Sequence, residues 1–402
     1  ISKSTIGKYA PNKENTSGVH GSPLGENEFE LFLQNIGFSG DPFLHDSEIY
    51  SYFDEKRAND NSKYDEWKAN LESKLQSDKN FRQLWNQFNN FETSEVELEW
   101  SSDEASRVVG GKILNEYGLS NKFIIGGSAD LAASTKQIIS DNTFGSNNFG
   151  GNSIEFGIRE HAMGGIVNGL ALHSNLIPYG STFLVFSDYM RPSMRLASLM
   201  NINSLFIFTH DSIYLGEDGP THQPIEHLMS LRLIPNLDVI RPSNSMELIH
   251  SYRYALEKRD NPKAIILSRQ NMKFFDNDVS YKDFQTGAYE FMPGSDITLI
   301  ATGSELELAF EISTKLKDLS VQIISAPILN RLNEERLESL SLNQNIFTIE
   351  LGRTIGWDTY IKNIKKSFSI DTFGESAPID QLAEKFNFNA EKISDEIRSL
   401  LN

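Results

Sequence analysis

Short runs of consecutive apolar residues recur along this chain, with amphipathic and polar stretches between them. Residues 123–125, 205–208, 237–240 and 264–267 form apolar runs too short for helices, the mark of strands buried on both faces. Between them, residues 107–117, 160–173 and 246–258 carry helical spacing. Asn244, with Glu247 three residues on, gives the last of these a capping-box start. Such alternation predicts βαβ units and a parallel sheet covered on both faces. A second unit follows, with strands at 297–300, 321–324 and 346–349. There the stretch Thr302-Gly303-Ser304-Glu305-Leu306-Glu307 reads as another capping box opening a helix. The expected fold class is α/β, with two doubly wound, mostly parallel sheets. Residues 26–95 are charged and aromatic, with helical spacing at Trp67, Leu71 and Leu75, and read as a helical linker. Polar residues 276–289 read as a second linker, so the sheet domains are expected at 96–275 and 276–402.

Composition narrows the partners. A length of 402 residues allows two or three domains and an ample core. The 37 basic and 55 acidic residues leave a net charge of −18, which argues against nucleic acid or an anionic membrane surface. No run is long enough to span a bilayer. The absence of cysteine excludes disulfides and thiolate metal sites and fits a reducing, cytoplasmic setting. No glycine-rich nucleotide fingerprint is present. A phosphorylated substrate would have to bind through a local cluster of Arg and His, against the overall field. The chain opens at Ile1 without leader character and is expected to have been cut from something longer.

The densest chemistry follows the run 205–208. Phe208-Thr209-His210-Asp211-Ser212 leads into Gly216-Glu217-Asp218-Gly219-Pro220-Thr221-His222-Gln223-Pro224, two histidines and several carboxylates in a Gly/Pro frame. A buried parallel strand delivers such side chains at its carboxyl end. Glu160 opens the helix pattern at 160–173, and by spacing alone reads as a carboxylate favoured by the helix dipole. Phe183, Phe186 and Tyr189 recur every third position, one face of a helix or turn, and alone would read as core. Arg107, Arg269 and Ser134 are each unremarkable singly. His45, His173, His227 and His250 fit no constellation and read as structural or exposed.

Taken in order, these motifs resemble the transketolase family. Gly157-Ile158-Arg159-Glu160-His161-Ala162-Met163 and Leu267-Ser268-Arg269-Gln270 add to the resemblance, which runs from Ser4-Thr5-Ile6-Gly7 to Thr372-Phe373-Gly374-Glu375-Ser376-Ala377-Pro378. The forms at 221–224 and 267–270 set it apart from deoxyxylulose-phosphate synthases. The resemblance implies a thiamine diphosphate enzyme with Mg2+, a cytoplasmic homodimer with a shared active site. It implies transfer of a two-carbon ketol unit from a ketose phosphate such as xylulose 5-phosphate to ribose 5-phosphate or erythrose 4-phosphate, within the pentose phosphate pathway.

Carried onto matching positions, it implies that Glu160 meets the cofactor's aminopyrimidine ring, where burial would raise its pKa and let it share a proton with the ring nitrogen. Phe183, Phe186 and Tyr189 would enclose that ring, and Asp130 would lie near the cofactor across the dimer interface. Arg107, Ser134, His222 and Arg269 would bind the sugar phosphate. His210 and Asp218 would contact substrate hydroxyls. His20, in Val19-His20-Gly21-Ser22-Pro23, would stand by the reacting centre and assist proton transfer. Three departures are visible: Ser106 precedes Arg107 where the family has Thr, Ala133 replaces a proline, and no Gly-Asp-Gly…Asn metal motif occurs. Residues 1–25 are therefore expected to be the tail of a diphosphate-binding domain that is otherwise lacking. The chain alone is expected to be inactive; the alternative is a non-catalytic, truncated or split-subunit dimerisation module.

Overall fold

Continuous apolar runs become strands with two buried faces, because each alternate side chain has its own helical layer to pack against. The computed structural model describes residues 2–90, 96, 103–139, 142–273, 275 and 279–401, and the chain divides into two units, Ile1–Gln83 and Leu84–Asn402. The first unit holds a short 3-10 turn at Ser17–Val19 and the helices α1 (Glu26–Asn35) and α2 (Ser47–Ser77). Glu28 of α1 accepts from both the backbone and the side-chain amide of Asn12, at 2.8 and 2.9 Å, tying the opening turns to the helix. Helix α3 spans Lys79–Asn89, so helices fill most of the described part of 26–95, of which 91–95 lie outside the described residues.

The second unit contains both sheets. The first joins β1 (Ile124–Ser128), β2 (Ile177–Phe183), β3 (Leu205–Thr209), β4 (Asp238–Ile240) and β5 (Lys263–Leu267), all parallel, in the order β1-β2-β3-β5-β4. Leu205 and Ile207 face the cluster built with Val109, Ile113, Leu248 and Tyr252, from helices α4 (Ser106–Ser120) and α7 (Ser245–Glu257). Phe206 and Phe208 face the opposite cluster, with Met163 and Val167 of α5 (Glu160–His173) and Met190 and Met194 of α6 (Ser187–Leu199). The double winding expected from the sequence is present.

The second sheet orders as β10-β9-β7-β8-β6, from β6 (Tyr289–Met292), β7 (Ile297–Ala301), β8 (Val321–Ser325), β9 (Ile346–Ile349) and β10 (Ile364–Phe368). Only β6 runs antiparallel, against β8. Helices α8 (Glu305–Lys315) and α9 (Ala390–Leu401) cover one face through Leu306, Ala309, Ile393 and Ile397. Of the linker expected at 276–289, residues 276–278 lie outside the described residues; 281–284 form a helical turn, and Tyr289 already belongs to β6.

Two local expectations change. The Asn244 cap forms, its side chain accepting from Glu247 N at 3.0 Å, but the Glu247 carboxylate turns to Ser243 N, Tyr289 OH and Ser325 Oγ instead of back to Asn244. At 302–307 no capping box forms. Glu305 is taken by Arg241, Thr302 Oγ1 donates to Glu350 at 2.5 Å, and Glu307 accepts from Lys273 N. A buried guanidinium is a stronger claim on a carboxylate than one helix-end amide.

Glu305 and Glu350 belong to a fully buried charge network that joins the two sheets. Arg241, directly after β4, donates to Asp211 at 2.7 Å, to Glu305 through both terminal nitrogens, and to Thr302 O at 2.9 Å. Arg232 pairs bidentately with Glu350 at 2.8 and 2.7 Å. Burial opposes the charge on Arg241, but Glu305 and Asp211 outweigh it and raise its pKa. Removing one partner of such a pair typically costs about 3–5 kcal/mol, because the other charge is left buried alone.

Gly126 sits where β1 and β2 close. A Cβ there would lie 2.0 Å from Tyr179 O, so no rotamer change relieves the clash. We expect Gly126→Ala to lower stability by about 1–3 kcal/mol or more, seen as a fall in the denaturant midpoint with an unchanged slope.

Candidate functional site

Two arginines far apart in sequence are brought side by side by a serine clasp. Ser268 N donates to Ser106 Oγ at 2.7 Å, Ser106 N donates to Ser268 Oγ at 3.1 Å, and Arg107 N reaches Ser268 O at 3.4 Å. Residues Glu104–Ala105 pair antiparallel with Asn271–Met272 just beyond. Arg107 therefore begins α4 beside Arg269, which lies two residues past the end of β5. Arg107 donates to Ser134 O, which fixes the short helix Ala132–Thr135, while its Nε is buried without a partner. Burial, then the charge of Arg269, lower the Arg107 pKa. Among the described residues neither guanidinium has a carboxylate partner. Two half-compensated cations held together are a site prepared for an anion.

His210 completes that patch from the end of β3. Its φ of +60° lies in the left-handed region, which costs a non-glycine residue about 1–3 kcal/mol. Its Nδ1 meets Thr209 Oγ1 at 2.8 Å, and its ring stacks on Phe183 at 3.7 Å. Burial, with Arg107, Arg269 and His222 nearby, pushes its pKa down to about 3. The imidazole is thus neutral, a hydrogen-bonding group and not a charge. His222 turns an edge to Phe186 at 5.6 Å and pairs with Thr221 Oγ1 at 2.9 Å.

Of the helix or turn that the aromatic spacing allows, the turn is what forms. Phe183 ends β2, Phe186 sits in the 3-10 turn Leu184–Phe186, and Tyr189 belongs to α6. A 3-10 turn repeats every three residues, so the rings file into a stack: Phe183 on Phe186 at 5.8 Å and 10°, Phe186 on Tyr189 at 6.0 Å and 21°. Phe183 is buried at 6 % exposure and Tyr189 open at 62 %. Glu160 is half-buried at the first turn of α5, and its carboxylate has no hydrogen-bond partner among the described residues. Helix α5 lies close against α6 because a Cβ on Gly164 would fall 2.7 Å from Ser193 Cβ.

Asp218 is exposed in the loop after β3, and Asp130 is exposed just past β1 with a φ of +60°. His20 is exposed and belongs to the first unit. Geometry therefore assembles Arg107, Ser134, Phe183, Phe186, His210, His222 and Arg269. An open cleft of about 740 Å3 has Arg107, Arg269, Gln270 and Tyr214 among its lining. Asp188, Glu226 and His227 lie close enough to share an ion, but a mixed imidazole and carboxylate set is not the oxygen shell magnesium prefers.

The sequence reading passed over Asp211 and Arg241, the buried pair behind His210. Their separation of 30 residues, and of 64 residues from Arg241 to Glu305, hides the pairing. The available signal was an arginine ending a buried strand, at Ile240-Arg241-Pro242.

The comparisons fit this geometry. Family models match in chain order: the transketolase thiamine diphosphate binding domain at 1–91, the transketolase pyrimidine binding domain at 105–274 and the transketolase-like C-terminal domain at 287–389. The chain belongs to the transketolase family. It is 39 % identical to the Staphylococcus aureus (strain MRSA252) transketolase over 99 % of its own length and 63 % of that protein's. Transketolase from Leishmania mexicana superposes with a TM-score of 0.90 at 29 % identity, covering 98 % of this chain and 61 % of that one. The Campylobacter jejuni enzyme superposes with a TM-score of 0.86 at 32 % identity, over 99 % and 62 %. The chain thus spans less than two thirds of the length of these relatives. One expectation is corrected: the diphosphate-binding domain is not lacking beyond a tail at residues 1–25, since the family model for that domain matches residues 1–91.

The neutral His210 gives a pH dependence. Above pH ~6.5 the ring is uncharged in folded and unfolded chains alike. Below that, the unfolded chain binds a proton that the native state refuses until about pH 3. Stability is therefore lost as pH falls, by up to about 1.4 kcal/mol per pH unit from this ring. In denaturant titrations at pH 7 and pH 5, His210→Gln should lose less stability than wild type; equal losses would contradict a neutral His210.

Proposed function

We propose that the protein carrying this chain is a transketolase that moves a two-carbon ketol unit between sugar phosphates, with thiamine diphosphate as cofactor. The observation that carries this is the joining of Arg107, Arg269, His210 and His222 to the Phe183–Phe186–Tyr189 stack at the carboxyl end of one sheet. The stack offers an open aromatic face to a planar ring, and Glu160 offers a carboxylate with no hydrogen-bond partner among the described residues. Both fit an aminopyrimidine. Bound there, thiamine diphosphate would supply the carbanion and the electron sink.

The chain's own residues would do the rest. Glu160 would share a proton with the pyrimidine nitrogen once the cofactor and a partner surface cover it. Arg107 and Arg269, with Ser134 and His222, would bind the phosphate of xylulose 5-phosphate, ribose 5-phosphate or erythrose 4-phosphate, bidentately where geometry allows. An anion there relieves the mutual repulsion of the two guanidiniums. His210 and Asp218 would read sugar hydroxyls, and His20 would assist proton transfer at the reacting carbon. Asp130 would approach the cofactor from the neighbouring copy. The groups named here do not supply the oxygen ligands that Mg2+ prefers, so the ion would be held by other residues of the protein.

A homodimer with a shared site is supported by apolar residues left open on α5 and α6: Ile166, Tyr189, Leu196 and Leu199 are 46, 62, 49 and 68 % exposed. A cytoplasmic setting accords with the lack of cysteine and with the fact that no described helix is long and apolar enough to cross a membrane. Domain boundaries at 95/96 and 275/276 are part of the same proposal.

The test uses the full-length protein with thiamine diphosphate, Mg2+, xylulose 5-phosphate and ribose 5-phosphate. Glu160→Ala should lower kcat by about 10²–10⁴ with an unchanged circular dichroism spectrum; near-wild-type turnover would remove Glu160 from this role. Arg269→Ala should raise KM for the sugar phosphates about 10- to 100-fold, the loss of one charge-assisted contact, with a smaller change in kcat.

A further inference from the structure

His210 occupies a backbone conformation that a side-chain-bearing residue adopts only when its surroundings impose it, and the next residue is tied to Arg241, whose other partners, Thr302 and Glu305, belong to the second sheet domain. Asp211 is 2 % exposed, and its Oδ2 accepts from Arg241 Nη2 at 2.7 Å. We propose that Arg241 is a positioning residue for substrate recognition: through Asp211 it fixes His210 against the two phosphate-binding arginines, so that carboxylates of the second sheet domain set the orientation of a ring they never touch. This rests on the transketolase reading of the site.

The anchor is rigid at every point. Arg241 has no exposed surface, and its guanidinium is shared between Asp211 on one side and Glu305 and Thr302 on the other. Its main chain is clasped as well: its N–H donates to Pro327 O at 2.8 Å and its carbonyl accepts from Gly303 N at 3.1 Å. Gly303 has a φ of +56°, and a Cβ there would stand 2.7 Å from Arg241 Nε. The side chain is therefore walled in as well as bonded. A lysine could not replace it, because a single ammonium cannot span both carboxylates with a planar fork.

The far end of the same loop is held by the same domain through neutral contacts. Gln223 Nε2 donates to Glu375 O at 2.9 Å and to Ile213 O and Gly216 O within the loop. Tyr214 OH donates to Phe388 O at 3.0 Å. The loop carrying His210, Asp218 and His222 is thus framed at both ends, with the ionic contact placed beside His210. Arg107, Arg269 and His222 are the charged and titratable groups that bear on the His210 ring.

Asp211→Asn separates this role from cohesion of the domains, since Arg241 keeps Glu305 and Thr302. Two readouts apply. In the NMR titration of the His210 ring, the midpoint should rise from about 3 toward the ordinary value of about 6.5 as the ring leaves its enclosed position. KM for xylulose 5-phosphate, and Ki for inorganic phosphate, should rise at least about tenfold, with kcat falling less than KM rises. Arg241→Lys should give the same direction of change and serves as the test if Asp211→Asn does not fold. A His210 titration and a phosphate Ki that both match wild type, in a folded variant, would overturn the proposal. If the wild-type protein shows no ketol transfer, the functional reading fails, and the NMR titration still decides whether Arg241 positions His210.

Discussion

A guanidinium with no surface in water has to be matched by buried acceptors, and that of Arg241 finds them in two separate segments of chain. Asp211 comes from the loop after β3 and Thr302 and Glu305 from the start of α8, while Pro327, beyond β8, accepts from the Arg241 main-chain N–H. None of these groups can relax into solvent. Each segment's position therefore fixes the others', and the two sheets become one body. Glu350 extends the constraint: Thr302 donates to it, and Arg232 outweighs the burial that would raise its pKa, so that the carboxylate is held below its usual range. Apolar packing alone could hold the sheets together, but it would not set the angle of a loop.

The site is organised by the opposite principle. Arg107 and Arg269 are placed together without a carboxylate partner among the described residues, and His210 responds by staying neutral. The serine clasp of Ser106 and Ser268 makes this arrangement possible, because four short main-chain and hydroxyl contacts oppose the repulsion of the arginines. An anion is worth most where it relieves such stored repulsion in a place shielded from water. The aromatic stack beside it supplies a dry, flat wall, graded from the buried Phe183 to the open Tyr189.

Much of this was legible from residue order. Helix 160–173 and strand 346–349 end where their apolar patterns end, since periodicity is strongest in elements that bury a complete face. The loop motif after β3 stands out through residue type, whereas Arg107, Arg269 and Glu160 stand out only through the resemblance to the transketolase family. Strand β2 escaped because Pro178, Gly180, Ser181 and Thr182 carry no apolar run, although every residue from Ile177 to Phe183 is buried. Its burial comes from neighbours on either side and not from its own composition. The capping box at 302–307 misled for a related reason: a local pairing rule lost to a distant guanidinium.

By itself, the sequence determined the α/β class, the order of its elements and the family, because short-range periodicity and motif chemistry are carried by neighbouring residues. Tertiary structure alone decided that aromatic residues from a strand, a 3-10 turn and a helix would form a single stack. It also decided that Arg107 and Arg269, 162 positions apart, would share one patch, and that Asp211 would be tied to Glu305 through Arg241. Those outcomes depend on which chain segments desolvate one another, and burial by a distant segment leaves no periodic trace in the residues it covers.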